Sequence, residues 1–87
     1  MSDVAISLSA RDDLEDLPAD VQERVKTKLL EDVADEPERY LRTLSNSEYN
    51  SVRVGDYRVI VDHEPNEELL KVLAVGHRST IYDRELD

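Results

Sequence analysis

The chain has no cysteine, tryptophan or phenylalanine, one methionine, and only two glycines among its 87 residues. Without cysteine there is no disulfide framework and no thiolate metal site, and the composition suits a reducing compartment such as the cytoplasm. With glycine only at Gly55 and Gly76, a phosphate-cradling glycine-rich loop is excluded. His63 and His77 stand far apart among scattered acids, which is no metal-ligating spacing. No serine has a histidine at a spacing that suggests a triad. Neither a metal nor a cofactor is therefore expected. No stretch approaches the roughly 18 apolar residues of a membrane span. The N-terminus holds acids and no apolar run, so neither a signal peptide nor a membrane partner is expected. Bases are scarce too: 11 Lys and Arg stand against 21 Asp and Glu, a net charge of −10.

What is present fits a single domain over residues 1–87. A chain this short buries about 60–65% of its unfolded surface, so a surface site is expected rather than a deep cavity. Only Lys26, Lys28 and Lys71 are lysines, against eight arginines. The acid excess reads either as a surface for a basic partner or as adaptation to very high salt. The acids are spread over every helix face and loop, as a halophilic solubility device would be, and this favours the second reading. At molar salt the Debye length is about 3 Å, so a polyanion is screened while contact pairs survive. Net charge then does not exclude a nucleic-acid partner.

Alternation over Val4–Leu8 predicts a short strand. Ser9 is a candidate N-cap, with Asp12 and Asp13 in the first turn and Ala10, Leu14 and Leu17 on one side of a short helix. Pro18 ends it and suits the first turn of the next helix. Val21, Val25, Leu29 and Val33 recur every fourth residue, predicting an amphipathic helix of about four turns. Glu23, Arg24, Lys26, Glu31 and Asp32 read as its solvated face. Pro37 stops it, Tyr40, Leu41 and Leu44 pack inward, and Ser45-Asn46-Ser47 forms a loop. Ser51–Val61 reads as a hairpin about Gly55-Asp56, with a turn at 62–66 that leaves His63 exposed and idle. Leu69–Val75, almost wholly apolar, reads as a central strand covered on both faces. Ile81-Tyr82 begins a short tail. The fold class is α+β, in the order β-α-α-β-β-β.

Charge partitions along this map. Residues 12–38 carry −8 and residues 59–87 carry −4, while residues 39–58 carry +2. The positive window ends on the hairpin, where a two-residue loop pairs Val54 with Tyr57 and Arg53 with Arg58. Like charges directly opposite each other destabilise a strand pair, which raises the question of what anion they serve. If the last strand neighbours the hairpin, Arg78 and Tyr82 approach the same face. Guanidinium forks bind phosphate oxygens bidentately and keep their charge. Preplaced donors of this kind stabilise charge developing on a pentacoordinate phosphorus. The plainer reading is a surface network in which these arginines pair with Glu48, Asp83 or Glu85. Tyr57 falls on the opposite face with Val59 and Val61 and reads as core. His77 points to that face as well, and Tyr40 and Tyr49 read as partly buried packing residues.

These pieces together resemble the RelE/ParE toxin superfamily, most closely its archaeal (haloarchaeal) RelE branch. The resemblance rests on Asp13-Leu14, Leu17-Pro18 and Val21–Val25, on Tyr40-Leu41 with Leu44, on Val52–Val59, and on Val75-Gly76-His77-Arg78 with Tyr82. It implies a small curved, mainly antiparallel sheet with two N-terminal helices on one side. It implies the toxin of a type II toxin–antitoxin system, with a RelB-like antitoxin as partner in a possible heterotetramer. RelE-type members act on the ribosome, cutting mRNA in the A site without metal by attack of a 2′-hydroxyl on the adjacent phosphate. Matched residue by residue, Arg58 and Arg78 fall on the two phosphate-stabilising arginines. Arg53 falls on a third basic position and Tyr82 on the C-terminal tyrosine. Arg42, Arg53 and Arg84 are the expected RNA contacts. Two lysines of the bacterial branch fall on Tyr49 and Ser51, so that basic contribution is missing. The ParE branch shares the fold, targets DNA gyrase and lacks the full catalytic set. Arg58, Arg78 and Tyr82 favour the RelE reading, with a gyrase inhibitor or an inactive binding module as the alternatives.

Overall fold

In a computed structural model, which describes residues 3–43, 49–79 and 81, the helices gather on one face of a five-stranded sheet. Strand β1 (Asp3–Ile6) gives way to helix α1 (Leu8–Glu15) at Ser7. Ser7 has an extended backbone, and its Oγ accepts the Ala10 N–H at 3.1 Å. It is therefore Ser7, and not Ser9, that caps α1. Asp12 and Asp13 accordingly lie in the body of the helix rather than in its first turn. Pro18 is extended and sits just before α2 (Ala19–Thr27), outside its first turn.

Helix α2 runs on through a π turn (Lys28–Val33), where the Ala34 N–H reaches back to the Leu29 carbonyl. The expected stripe of Val21, Val25, Leu29 and Val33 is buried along its whole length. Pro37 begins a further short helix, α3 (Pro37–Tyr40), its fixed φ suiting a first helical position. Tyr40 and Leu41 pack against the core, while Leu44 and the expected loop at 45–47 lie outside the described residues.

The sheet then builds outward and back through β2 (Arg42–Thr43), β3 (Asn50–Val54), β4 (Tyr57–Glu64) and β5 (Leu69–His77). Its order is β1-β5-β4-β3-β2, with β1 parallel to β5 and the other pairs antiparallel. Residues 62–64 belong to β4, so His63 is a half-buried strand residue paired with Leu70 and not an exposed turn residue. The turn itself is the single 3₁₀ turn Pro65–Glu67, closed by Glu68 in the left-handed region at φ 51°.

The main core lies between helices and sheet, with Ala10, Leu14, Val25, Leu29, Val52, Val59, Val61, Leu70 and Val72 all within 4% of full burial. On the opposite face Ile60, Ala74 and Ile81 form a second, smaller cluster with Tyr49 and Leu73. Together they cover β5 on both faces, as its apolar run predicts. β5 carries a bulge: Ile60 faces Ala74 and Val61 faces Val72, which leaves Leu73 without a partner on β4. Beyond Val72 strand β1 has ended, and side chains take its place. Ser7 Oγ donates to the Leu73 carbonyl at 3.3 Å, and Asp13 Oδ2 accepts the Val75 N–H at 3.0 Å. Backbone groups that would otherwise be orphaned inside the fold are thereby satisfied, and α1 is locked to β5. No helix among the described residues is long and apolar enough to cross a membrane.

Candidate functional site

The β3–β4 hairpin has the expected register: Val54 faces Tyr57 and Arg53 faces Arg58. Gly55 opens the turn at φ +60°, and Asp56 is not in the positive-φ region, which makes this a type II′ turn with glycine at its obligatory position. A two-residue loop closes on a hydrogen-bonded pair, so Arg53 and Arg58 fall in the next, non-hydrogen-bonded class. There Cα atoms stand about 4.5 Å apart and side chains lie closest. Two cations thus leave adjacent strands from the closer kind of cross-strand pair.

Directly opposite partners share a face, so the surface can be followed strand by strand. Arg58 faces Gly76 on β5. One row along, Arg42 on β2 faces Ser51, Ser51 faces Ile60, and Ile60 faces Ala74. The side of the sheet that carries no helix among the described residues therefore holds Arg42, Arg53 and Arg58 on three consecutive strands. Arg78 follows two residues after Gly76. Its N–H donates to the Asp56 carbonyl at 2.9 Å, which ties the turn that follows β5 to the hairpin loop.

The surroundings differ among these arginines. Arg53 and Arg78 are exposed, whereas Arg58 is half-buried beside the Ile60–Ala74–Ile81 cluster. Arg58 Nη1 donates to the Tyr57 carbonyl at 3.3 Å, and Arg53 Nε to the Gly55 carbonyl at 3.4 Å. Arg42 folds back on the Arg39 and Leu41 carbonyls at 3.3 and 3.4 Å. Gly76 is the floor of this region. A Cβ built on it would come within 3.0 Å of Ile81 Cδ1, so the absent side chain is what admits the buried Ile81 over the strand position opposite Arg58. Tyr82 and Arg84 lie outside the described residues, as do Glu48, Asp83 and Glu85 of the alternative ion-pair network.

The aromatic and imidazole groups fall where alternation put them. Tyr57 and His77 meet edge to face on the helix side, with centroids 5.6 Å apart. The Ser79 N–H donates to His77 Nδ1 at 3.1 Å, and Ser79 Oγ lies 2.8 Å from the same nitrogen, which shapes the exit from β5. Tyr40 is half-buried under Lys28, whose Nζ lies 4.1 Å from the ring centroid. Among the described residues, no three His, Cys, Asp or Glu side chains gather as a metal-ligating group.

One residue that the sequence assigned to a solvated helix face belongs near this region. Arg24 of α2 reaches the hairpin turn, its Nη2 only 3.0 Å from where a Cβ on Gly55 would stand. Its place next to the buried Val25 was legible, but which loop that end of α2 overlies was not.

Residues 4–82 match the family model described as the ParE toxin of the type II toxin–antitoxin system, parDE. No curated protein matches the chain in sequence. Among solved structures, a chain of the RelBE toxin–antitoxin complex from Mycobacterium tuberculosis is similar at 28% identity and a TM-score of 0.84, over 90% of this chain and 92% of that one. The RelB–RelE complex of Methanococcus jannaschii gives 22% identity and a TM-score of 0.71 over 91% and 95%. The isolated RelE toxin of E. coli gives 23% and 0.70 over 95% and 93%. These last two likenesses establish the shared fold.

Proposed function

The chain belongs to the ParE toxin family of type II toxin–antitoxin systems, and from that premise we propose that it is an endoribonuclease that cuts mRNA in the A site of translating ribosomes. The observation that carries this reading is Arg53 directly opposite Arg58, with Arg78 just past the end of the neighbouring strand. Such a face has a use for repelling cations only when an anion lies between them, and a phosphodiester supplies one. The likeness to RelE structures adds support.

In the proposed step the RNA 2′-oxygen attacks the adjacent phosphorus. The O2′–P bond forms as the P–O5′ bond breaks, the 2′-hydroxyl gives up its proton, and the leaving O5′ takes one. The products are a 2′,3′-cyclic phosphate and a 5′-hydroxyl end. Arg58 and Arg78 hold the non-bridging oxygens as negative charge builds on them. Arg53 steadies the same phosphate, Tyr82 lies against the reacting nucleotide, and Arg42 and Arg84 contact the flanking strand. The chemistry needs no metal. A RelB-like antitoxin is the proposed protein partner, by analogy with the complexes that the chain resembles, and the cytoplasm is the proposed place of action. The acid-rich surface is read as adaptation to high salt.

Primer extension on translating ribosomes in high KCl tests this, with cuts expected inside A-site codons. A second reading, inhibition of DNA gyrase, is favoured by the ParE name of the matching family. It predicts stalled supercoiling with no mRNA cut, and a supercoiling assay separates the two.

A further inference from the structure

A groove of about 400 Å³ runs along the outer edge of β3, between α2 and the hairpin turn, lined by Arg24, Lys28, Arg53 and Gly55 and by the acids Glu23 and Asp32. Strand β2 pairs with β3 at Asn50 and Ser51, so no strand among the described residues pairs with the edge at Arg53 and Val54. Because Arg53 and Arg58 form a non-hydrogen-bonded pair, the Arg53 backbone N–H points away from β4, toward this edge. Lys28 is already engaged, 3.5 Å from Asp32 and stacked on Tyr40. Arg24 is not: no hydrogen bond or ion pair holds its guanidinium among the described residues, although it lies against Gly55. Arg53 has only the long contact to the Gly55 carbonyl. Two guanidiniums therefore flank one turn, neither of them ion-paired to a carboxylate of the described residues, in a chain whose net charge is −10.

We propose that this groove is a second phosphate site, in which Arg24 and Arg53 bind the backbone of the RNA strand one or more nucleotides away from the phosphate held at Arg58. The proposal rests on the RNA-cleaving reading and deepens it. Arg53 is the shared member: its strand position places it beside Arg58 on the open face, and it also lines the groove. A strand leaving the first site thus passes Arg53 and meets Arg24. Single-strand contacts of this kind are governed by backbone charge, so Arg24 contributes affinity and register, not base preference. Asp32, one of the two lining acids, is paired with Lys28 at 3.5 Å, so a phosphate held at the turn meets the two arginines.

The two glycines of the chain give each site its own reporter, Gly55 in the groove and Gly76 opposite Arg58. Backbone amide shifts of ¹⁵N-labelled protein are followed while adding 2′-O-methyl oligoribonucleotides, which cannot be cut, of two and of five nucleotides. The dinucleotide is expected to move Gly76 alone and the pentanucleotide to move both. Arg24→Gln is expected to abolish the Gly55 response, weaken pentanucleotide binding about tenfold, and flatten its log–log salt dependence by about 0.7, the value of one single-strand phosphate contact. It leaves the dinucleotide unaffected. If Gly76 responds at both lengths and Gly55 at neither, the groove is not an RNA site and the cleavage reading stands. If neither glycine responds, the arginine face is not an RNA site and both readings fall. If pentaglutamate moves Gly55 and RNA does not, the groove belongs to an acidic protein segment and the proposal is overturned.

Discussion

Arg53 on β3 and Arg58 on β4 stand directly opposite each other in the closer class of cross-strand pair. Paired like charges cost a strand pair stability, by amounts of roughly 0.2–1 kcal/mol for contacts of this kind. Arg53→Thr removes one charge and adds a β-branched side chain, so it is expected to raise the denaturant midpoint by a gain in that range. The gain should shrink in molar salt, where the repulsion is already screened. Urea unfolding at low and high KCl measures it. A loss of stability at both salts would mean that Arg53 is held by favourable contacts and that the pair is not repulsive.

The same residues should respond in the opposite sense when activity is read. Removing one preplaced donor to a developing oxyanion typically costs about 10²–10³ in rate. Arg58→Ala and Arg78→Ala are each expected to lose cleavage on translating ribosomes by that factor, with circular dichroism unchanged. Cutting that persists in the double variant would overturn the phosphate-stabilising role.

Much of this face was legible because short-range rules determine it. A Gly-Asp pair between alternating segments fixes a two-residue loop, and the loop fixes which residue faces which, so Arg53 opposite Arg58 followed from counting. The Val21–Val33 stripe was equally legible, since burial repeats with the helical period. What failed depended on distant strands. Both Ser7 and Ser9 can cap a helix, and the choice fell to Ser7 because its N–H pairs with the Val72 carbonyl and its Oγ with that of Leu73. β2 has only two residues, too few to show alternation. His63 was read as part of a polar turn because nothing local reveals that β4 runs on to Glu64 against Leu69.

Asp13 offers a test of the strand substitution at β5. Its carboxylate accepts the Val75 N–H, which β1 is too short to reach. Leaving a buried donor unpaired costs about 1–3 kcal/mol. Asp13→Ala is expected to destabilise by that amount and to speed hydrogen exchange at the Val75 amide. Asp13→Asn keeps a carbonyl acceptor and should lose less. Equal losses for the two variants would mean that the charge, not the accepted hydrogen bond, is what matters.

The acid excess makes a prediction about salt. Three ion pairs occur among the described residues, Lys28–Asp32, Arg39–Glu36 and Lys71–Glu64, all partly or well exposed, and exposed pairs contribute little. The excess of 21 acids over 11 bases leaves a net repulsion, and raising KCl from about 0.1 to 1 M shortens the Debye length from about 10 to 3 Å. The melting temperature is expected to rise over that range. A chain equally stable at both concentrations would show that the acids serve a binding partner instead.

Gly76 and Ile81 give the sharpest test of how the open face is assembled. A Cβ at residue 76 would sit 3.0 Å from Ile81 Cδ1 but 3.5 Å from its Cβ and 3.7 Å from its Cγ1, so only the terminal methyl is in the way. Gly76→Ala should therefore cost about 1–3 kcal/mol through overpacking and displace Ile81 from over the strand position opposite Arg58. Ile81→Val removes that methyl and alone should cost about 0.5–1.5 kcal/mol. In the double variant the added methyl occupies part of the space the lost one leaves, so the two costs should not add. A double-mutant cycle in urea is expected to give a favourable coupling of at least about 0.5 kcal/mol, together with recovery of activity relative to Gly76→Ala. Strict additivity would show that Ile81 does not rest on the glycine. The packing opposite Arg58 would then owe its shape to something other than the missing side chain at 76.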